Sequence, residues 1–207
     1  MDKPLFQHFD EVSAKQWKQK IQFDLKGADY NEKLVYKSRH GIDVKPFYHP
    51  DDSQKPHHIP SPVNWKICEK IYVVSEPKSN EHAREALAKG AESLWFILPS
   101  EKVDVKELFS GIDLEKTPIN LGFEFLSEEY FQKIQDFLLH KKHQVSLQID
   151  IVGNLARYGN WFHNLNEDHK IVENIIAKNG VFNSVLSVDA SLYQNAGATI
   201  PQELAYS

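Results

Sequence analysis

Residues 147–151 read Leu-Gln-Ile-Asp-Ile, and residues 120–125 read Asn-Leu-Gly-Phe-Glu-Phe. Both stretches alternate strictly. Gln148 and Asp150 fall on one face of the first. Asn120, Gly122 and Glu124 fall on one face of the second, and the opposite faces are apolar. Central strands of a doubly wound sheet are covered on both sides and read as near-continuous Val, Ile and Leu. A strand with one apolar and one polar face suits a (β/α) barrel, where the apolar side meets outer helices and the other lines a polar interior.

Working outward from these two strands, the chain alternates regularly. Strands are predicted at 67–74, 93–98, 119–125, 145–151 and 185–188. Helices are predicted at 79–89 ending at Gly90, at 103–109, at 127–141 capped by Ser127, and at 168–178. Strand starts recur about every 25 to 40 residues, the length of one βα unit, which implies a parallel sheet with right-handed crossovers. Five units are visible, where a complete (β/α)8 TIM barrel of about 250 residues needs eight. The remaining choice is a small open five-stranded sheet. The fold class read here is α/β, the first part of a (β/α)8 barrel of about five βα units, preceded by an N-terminal helix and hairpin arm.

That arm and a Pro-rich linker occupy residues 1–64, and the partial barrel occupies 65–207. Val12, Trp17, Ile21 and Leu25 recur at helical spacing, with Ser13 placed to cap and Gly27 to terminate. Short strands at 33–38 and 42–48 flank the turn Arg39-His40-Gly41. Residues 49–64 hold four prolines and no periodicity, which marks a connection. At the other end, residues 184–188 lead into the polar loop Gln194-Asn195-Ala196-Gly197-Ala198. Thr199 then opens a helix with Pro201 in its first turn. The chain stops two turns into that helix, so it is expected to be part of a longer protein.

Composition narrows the function classes. The 207 residues are 41% hydrophobic and 26% charged, with a formal net charge of −5. That places the chain among globular proteins and supplies no basic field for nucleic acid. The longest apolar runs, such as 94–98, are too short to span a bilayer, so no membrane partner is expected. The first residues lack a basic and then apolar signal pattern, and the single cysteine, Cys68, excludes an internal disulfide. Together these predict a cytoplasmic protein.

Individual residues carry little catalytic signal. Of ten histidines, His57 and His58 are adjacent in the Pro-rich stretch. His140 and His143 sit near a helix end, where the helix dipole accounts for them. No set has zinc-site spacing. Cys68 is expected as a small buried hydrophobe in its strand. Asp150 and Glu124 project from the C-terminal halves of strands, where barrel enzymes keep catalytic groups. Without partners they read equally as hydrogen-bonded interior residues. Gly153-Asn154 and Gly197 read as tight turns after strands rather than as a phosphate cradle. Trp161 and Phe162, in the aromatic loop 157–163, read as a packed loop. No catalytic, cofactor-binding or metal residue is assigned.

Three blocks, in order, resemble methylmalonyl-CoA mutase, and most of all its small (β) subunit. They are Asp24-Leu25-Lys26-Gly27-Ala28-Asp29-Tyr30, Gly41-Ile42-Asp43-Val44-Lys45-Pro46-Phe47-Tyr48, and Gln194-Asn195-Ala196-Gly197-Ala198-Thr199 with Glu203-Leu204-Ala205-Tyr206. The span between them, with Trp65-Lys66-Ile67 and then Ser79-Asn80 opening the first barrel helix, fits as well. The resemblance implies a (β/α)8 barrel threaded by coenzyme A, followed by a cobalamin domain. The reaction it implies is the adenosylcobalamin-dependent rearrangement of methylmalonyl-CoA to succinyl-CoA. It also implies a heterodimer with a catalytic large subunit. In that catalytic subunit a Tyr-His pair precedes the Ala-Gly-Ala block; here Ser191 and Leu192 stand there, and leucine cannot hydrogen-bond a carbonyl. Its Tyr- and Arg-bearing segment corresponds here to Pro60-Ser61-Pro62-Val63-Asn64, which has neither residue. The Asp-x-His-x-x-Gly cobalamin motif is absent. The resemblance therefore implies a non-catalytic chain, inactive alone, with no adenosylcobalamin or coenzyme A held tightly by it. A free-standing α/β module that binds acyl-CoA or another small ligand is the alternative. Unpaired outer strands of a partial barrel would also favour a homodimer.

Overall fold

The computed structural model describes residues 9–52 and 65–207, which form two compact units. In the first, Ser13 caps α1 (Ala14–Asp24) through a capping box with Gln16. Asp29 caps a short helix, α2 (Tyr30–Leu34), by accepting the Glu32 N–H. The strand expected from residue 33 is thereby shortened to β1 (Tyr36–Lys37), because the aspartate cap diverts the preceding residues into a helical turn. β1 pairs antiparallel with β2 (Asp43–Val44) across a turn in which Gly41 takes φ +72°, a conformation open to glycine. A 3-10 turn at Pro50–Asp52 is tied to α1 by the Ala14 N–H, which donates to Asp51 at 3.1 Å. Tyr30 is the one buried residue among 9–52. The rest of the Pro-rich linker, with His57, His58 and Pro60–Asn64, lies outside the described residues.

The second unit carries a parallel sheet in the order β3 (Cys68–Tyr72), β4 (Ser93–Leu98), β5 (Ile119–Phe123), β6 (Val145–Gln148). Spatial order equals chain order, so every crossover steps the same way. The intervening helices are α3 (Glu76–Ala88), α4 (Val105–Leu108) and α5 (Glu128–Leu138); α6 (Ile151–Tyr158) and α7 (Leu165–Lys178) follow β6. The core lies on one side of the sheet. Leu94, Phe96, Leu98, Ile119, Leu121, Val145 and Leu147 are buried there against Ala83, Leu108, Ile134, Leu138, Val172 and Ile175 from the helices. Full burial of each such aliphatic or aromatic side chain stabilises by about 1.5–3 kcal/mol. The alternate positions, Lys70, Trp95, Asn120, Gly122 and Gln148, face the other side, on which the described residues of this unit build no helical layer. The fold is α/β with a singly wound parallel sheet, consistent with part of a (β/α) barrel.

Several elements depart from expectation. The strand over 145–151 ends at Gln148, because Asp150 caps α6 by accepting the Gly153 N–H at 2.7 Å. Ile151, Gly153 and Asn154 are therefore helical, and Gly153-Asn154 is no turn. The fifth strand is reduced to a bridge between Ile149 and Leu186, supported by Ile149 N–H to Val185 O and Ser187 N–H to Ile149 O. α3 starts at Glu76 with Pro77 in its first turn, not at Ser79. Ser79 and Asn80 are instead buried, and the Asn80 amide donates to the Leu108 and Ser110 carbonyls. The loop expected at 194–198 begins later: Gln194 and Asn195 complete α8 (Ala190–Asn195). Thr199 then opens α9 (Ile200–Tyr206) with a capping box to Gln202. Cys68 is exposed, not buried, because β3 is an edge strand and Cys68 lies at its start on the uncovered side.

Candidate functional site

A cleft of about 370 Å³ lies on the uncovered face of the sheet, at the C-terminal ends of its strands. Parallel α/β folds place ligands at this end, because strand termini and helix starts converge there. β3 contributes Lys70 and Tyr72, β4 Trp95 and Ile97, β5 Gly122, and β6 Gln148. Glu124 and Asp150, both anticipated from the alternation, join them just past their strands.

The polar groups are largely committed to one another. The Tyr72 hydroxyl donates to Glu124 at 2.8 Å, and this bond to a carboxylate raises the tyrosine pKa. The Gln148 amide donates to Asn120 Oδ1 at 3.0 Å, bridging β6 and β5. Asp150 accepts the Gly153 N–H with one oxygen and the Asp189 N–H at 3.1 Å with the other. One short carboxylate thus joins the ends of two successive βα units. Asp189 accepts from Ser191 and from Arg157, the latter at 2.6 Å. The Ser191 hydrogen bond and then the Arg157 guanidinium hold its pKa below the usual carboxylate range. Burial works against the Arg157 charge, but the Asp189 partner outweighs it and the guanidinium pKa is raised.

The middle of the face is filled. A Cβ on Gly122 would stand 2.7 Å from Ile97 Cδ1 and 3.0 Å from Trp95 Nε1, so both β4 side chains cross over β5 at the one residue lacking a side chain. The Lys70 ammonium sits 4.3 Å above the Trp95 ring, a cation–π contact. The Trp95 indole N–H is buried and has no acceptor among the described residues.

Trp161 and Phe162 pack against the core, as expected of a packed loop. Phe162 also borders the cleft. His143 lies in the turn after α5, where burial lowers its pKa, and its Nδ1 accepts the Val145 N–H at 3.3 Å. No group of three metal-ligating side chains occurs among the described residues. Tyr72, Trp95, Arg157 and Asp189 escaped the sequence reading. One signal for Asp189 was present: Val188-Asp189 follows its strand as Ile149-Asp150 follows β6.

The chain is similar to a methylmalonyl-CoA mutase small subunit. That protein, from Porphyromonas gingivalis, is 32% identical over 134 residues, which cover 58% of this chain and 22% of the relative. The chain therefore spans about a fifth of the length of the curated relative it matches. No protein-family model matches the chain. Against the mutase resemblance, Ser191 lies on α8 with its hydroxyl engaged by Asp189, and Leu192 follows it on the same helix. Among the described residues no helix is long and apolar enough to cross a membrane.

The cleft does not fit the cobalamin cofactor that the mutase resemblance implies. Its centre is occupied by Trp95 and Ile97, which leaves no room for a corrin ring over the sheet, and no histidine lines it among the described residues. No step through that cofactor is assigned to this chain.

Proposed function

We propose that this chain is the N-terminal portion of the non-catalytic subunit of an adenosylcobalamin-dependent methylmalonyl-CoA mutase. Its partner is a catalytic large subunit, and the heterodimer isomerises methylmalonyl-CoA to succinyl-CoA. The observation that carries this reading is the 32% identity to a mutase small subunit over 134 residues. Three features of the site support it. Leu192 offers no donor to a thioester carbonyl. Ser191 is committed to Asp189. Side chains of β4 occupy the space over Gly122 that a pantetheine threading the sheet's inner face would need.

The same reading makes the one-sided sheet the first part of a (β/α)8 barrel. The polar face of Asn120, Gln148 and Glu124 then becomes interior, and the outer strands pair with further βα units. The chain alone would present those strand edges, which favours a homodimer when no other segment covers them.

Turnover tests the proposal. The chain with adenosylcobalamin and methylmalonyl-CoA should form no succinyl-CoA, whereas activity of the chain alone would overturn the non-catalytic assignment. A second reading, a small-ligand binding module, is favoured by the cleft at the strand ends. Calorimetry separates the two. The mutase reading expects no micromolar binding of coenzyme A or adenosylcobalamin to this chain, and tight coenzyme A binding supports the module.

A further inference from the structure

Asp168 is a wholly buried carboxylate that no part of the reading above uses. An unpaired buried carboxylate is strongly disfavoured, so its partners reveal what it is for. It sits in the first turn of α7, but Asn164 already caps that helix by accepting the Glu167 N–H. All three donors around Asp168 come from the preceding loop instead. The Phe162 N–H donates to Oδ2 at 2.8 Å, the His163 N–H to Oδ1 at 3.0 Å, and His163 Nδ1 lies 2.9 Å from Oδ1. The loop is held at its other end by the Asn154 amide, which donates to the Asn160 carbonyl at 3.1 Å. Trp161 rests on the His169 ring one turn along α7. These contacts fix the backbone of the residue, Phe162, that borders the cleft.

We propose that Asp168 is the positioning residue of the cleft: its buried carboxylate clasps the 160–163 loop through Phe162 and His163 and so sets Phe162 as the cleft's wall. The carboxylate, an acceptor only, also selects the His163 tautomer that carries a proton on Nδ1.

Hydrogen exchange on the wild-type chain is the first test. The Phe162 and His163 amides should exchange at least tenfold more slowly than those of Asn160 and Trp161 in the same loop; equal rates overturn the clasp. D168N then keeps the shape of the side chain but turns an amide toward the loop donors. Exchange at Phe162 and His163 should accelerate at least tenfold while Leu94 and Leu121 in the sheet are unchanged, and the His163 nitrogen shifts should report a mixture of tautomers. With 5-fluorotryptophan incorporated, the fluorine signals of Trp161 and of Trp95 in the cleft should move, and those of Trp17 and Trp65 should not. Equal acceleration throughout the sheet makes Asp168 a general folding residue and overturns the proposal. An unmoved Trp95 signal refutes the link to the cleft. Should D168N fail to fold, the wild-type exchange pattern and the wild-type His163 tautomer decide the question.

Discussion

Gly153 gives the sharpest test of how the cleft is built, because Gly153→Ala should change sign with its neighbour. An alanine Cβ at this position would fall 2.1 Å from Asp150 Oδ2 and 2.6 Å from its Cγ. The carboxylate must therefore leave, losing the cap on α6 and the bond to the Asp189 N–H. Loss of an N-cap costs about 1 kcal/mol, and loss of one hydrogen bond about 1 kcal/mol more. Replacing glycine by alanine inside a helix returns about 0.8–1 kcal/mol. The net expectation is that G153A destabilises the wild-type chain by about 1 kcal/mol. In an Asp150→Ala background the carboxylate is already gone, and the same G153A should stabilise by about 1 kcal/mol. The coupling of about 2 kcal/mol is well beyond the additivity error of independent sites. In a domain of this size, 1 kcal/mol moves the melting temperature by about 2–4 °C. Thermal or urea unfolding of the four proteins in this cycle measures it. Stabilisation by G153A in both backgrounds would refute the reasoning, since the carboxylate would then yield its place at no cost.

Gly122→Ala should destabilise by about 1–3 kcal/mol through overpacking against Ile97 and Trp95. Adding Ile97→Val, which removes the clashing Cδ1, should restore stability where it would otherwise cost some, and urea midpoints of both single and double variants read this. Asp189, depressed by Ser191 and Arg157, contributes stability that is present above its unfolded pKa and is lost as pH falls through the folded value. Asp189→Asn should therefore flatten the acid limb of a stability–pH curve and leave its slope near neutrality unchanged; an unaltered acid limb would show that the pair contributes nothing. Glu128, depressed by Lys178 and then Asn174, should behave in the same direction when Lys178→Met removes its partner.

Much of the sheet was legible in the sequence because one-sided burial writes itself as a period of two. β4 was read to the residue, and β5 and β6 started where expected, since Leu94, Leu121 and Leu147 share a single buried layer. Serine caps at Ser13 and Ser127 were visible for the same local reason: each side chain accepts an N–H three residues on. The misses have physical causes. Ile151 and Val152 continue the apolar alternation of β6, and nothing in the pattern reveals that the Asp150 carboxylate turns back to cap a helix. Ser75 precedes α3 without making a side-chain cap bond, and Lys78 stands where a capping box needs Glu or Gln, so the true start carries no strong sequence signal. Cys68 is exposed because it lies on an edge strand, and edge position is a property of the sheet rather than of the residue. Within the site, Asn120, Glu124, Gln148 and Asp150 were legible as a polar face. The pairing of Tyr72 with Glu124 spans 52 residues, and the crossing of Trp95 over Gly122 depends on register. Neither leaves a local trace.

Association with a catalytic large subunit tests the central claim most directly. Sedimentation velocity of this chain mixed with a methylmalonyl-CoA mutase large subunit should show a one-to-one complex that neither protein forms alone. Two independently sedimenting species at micromolar concentration, with this chain unchanged by the addition, would contradict the account.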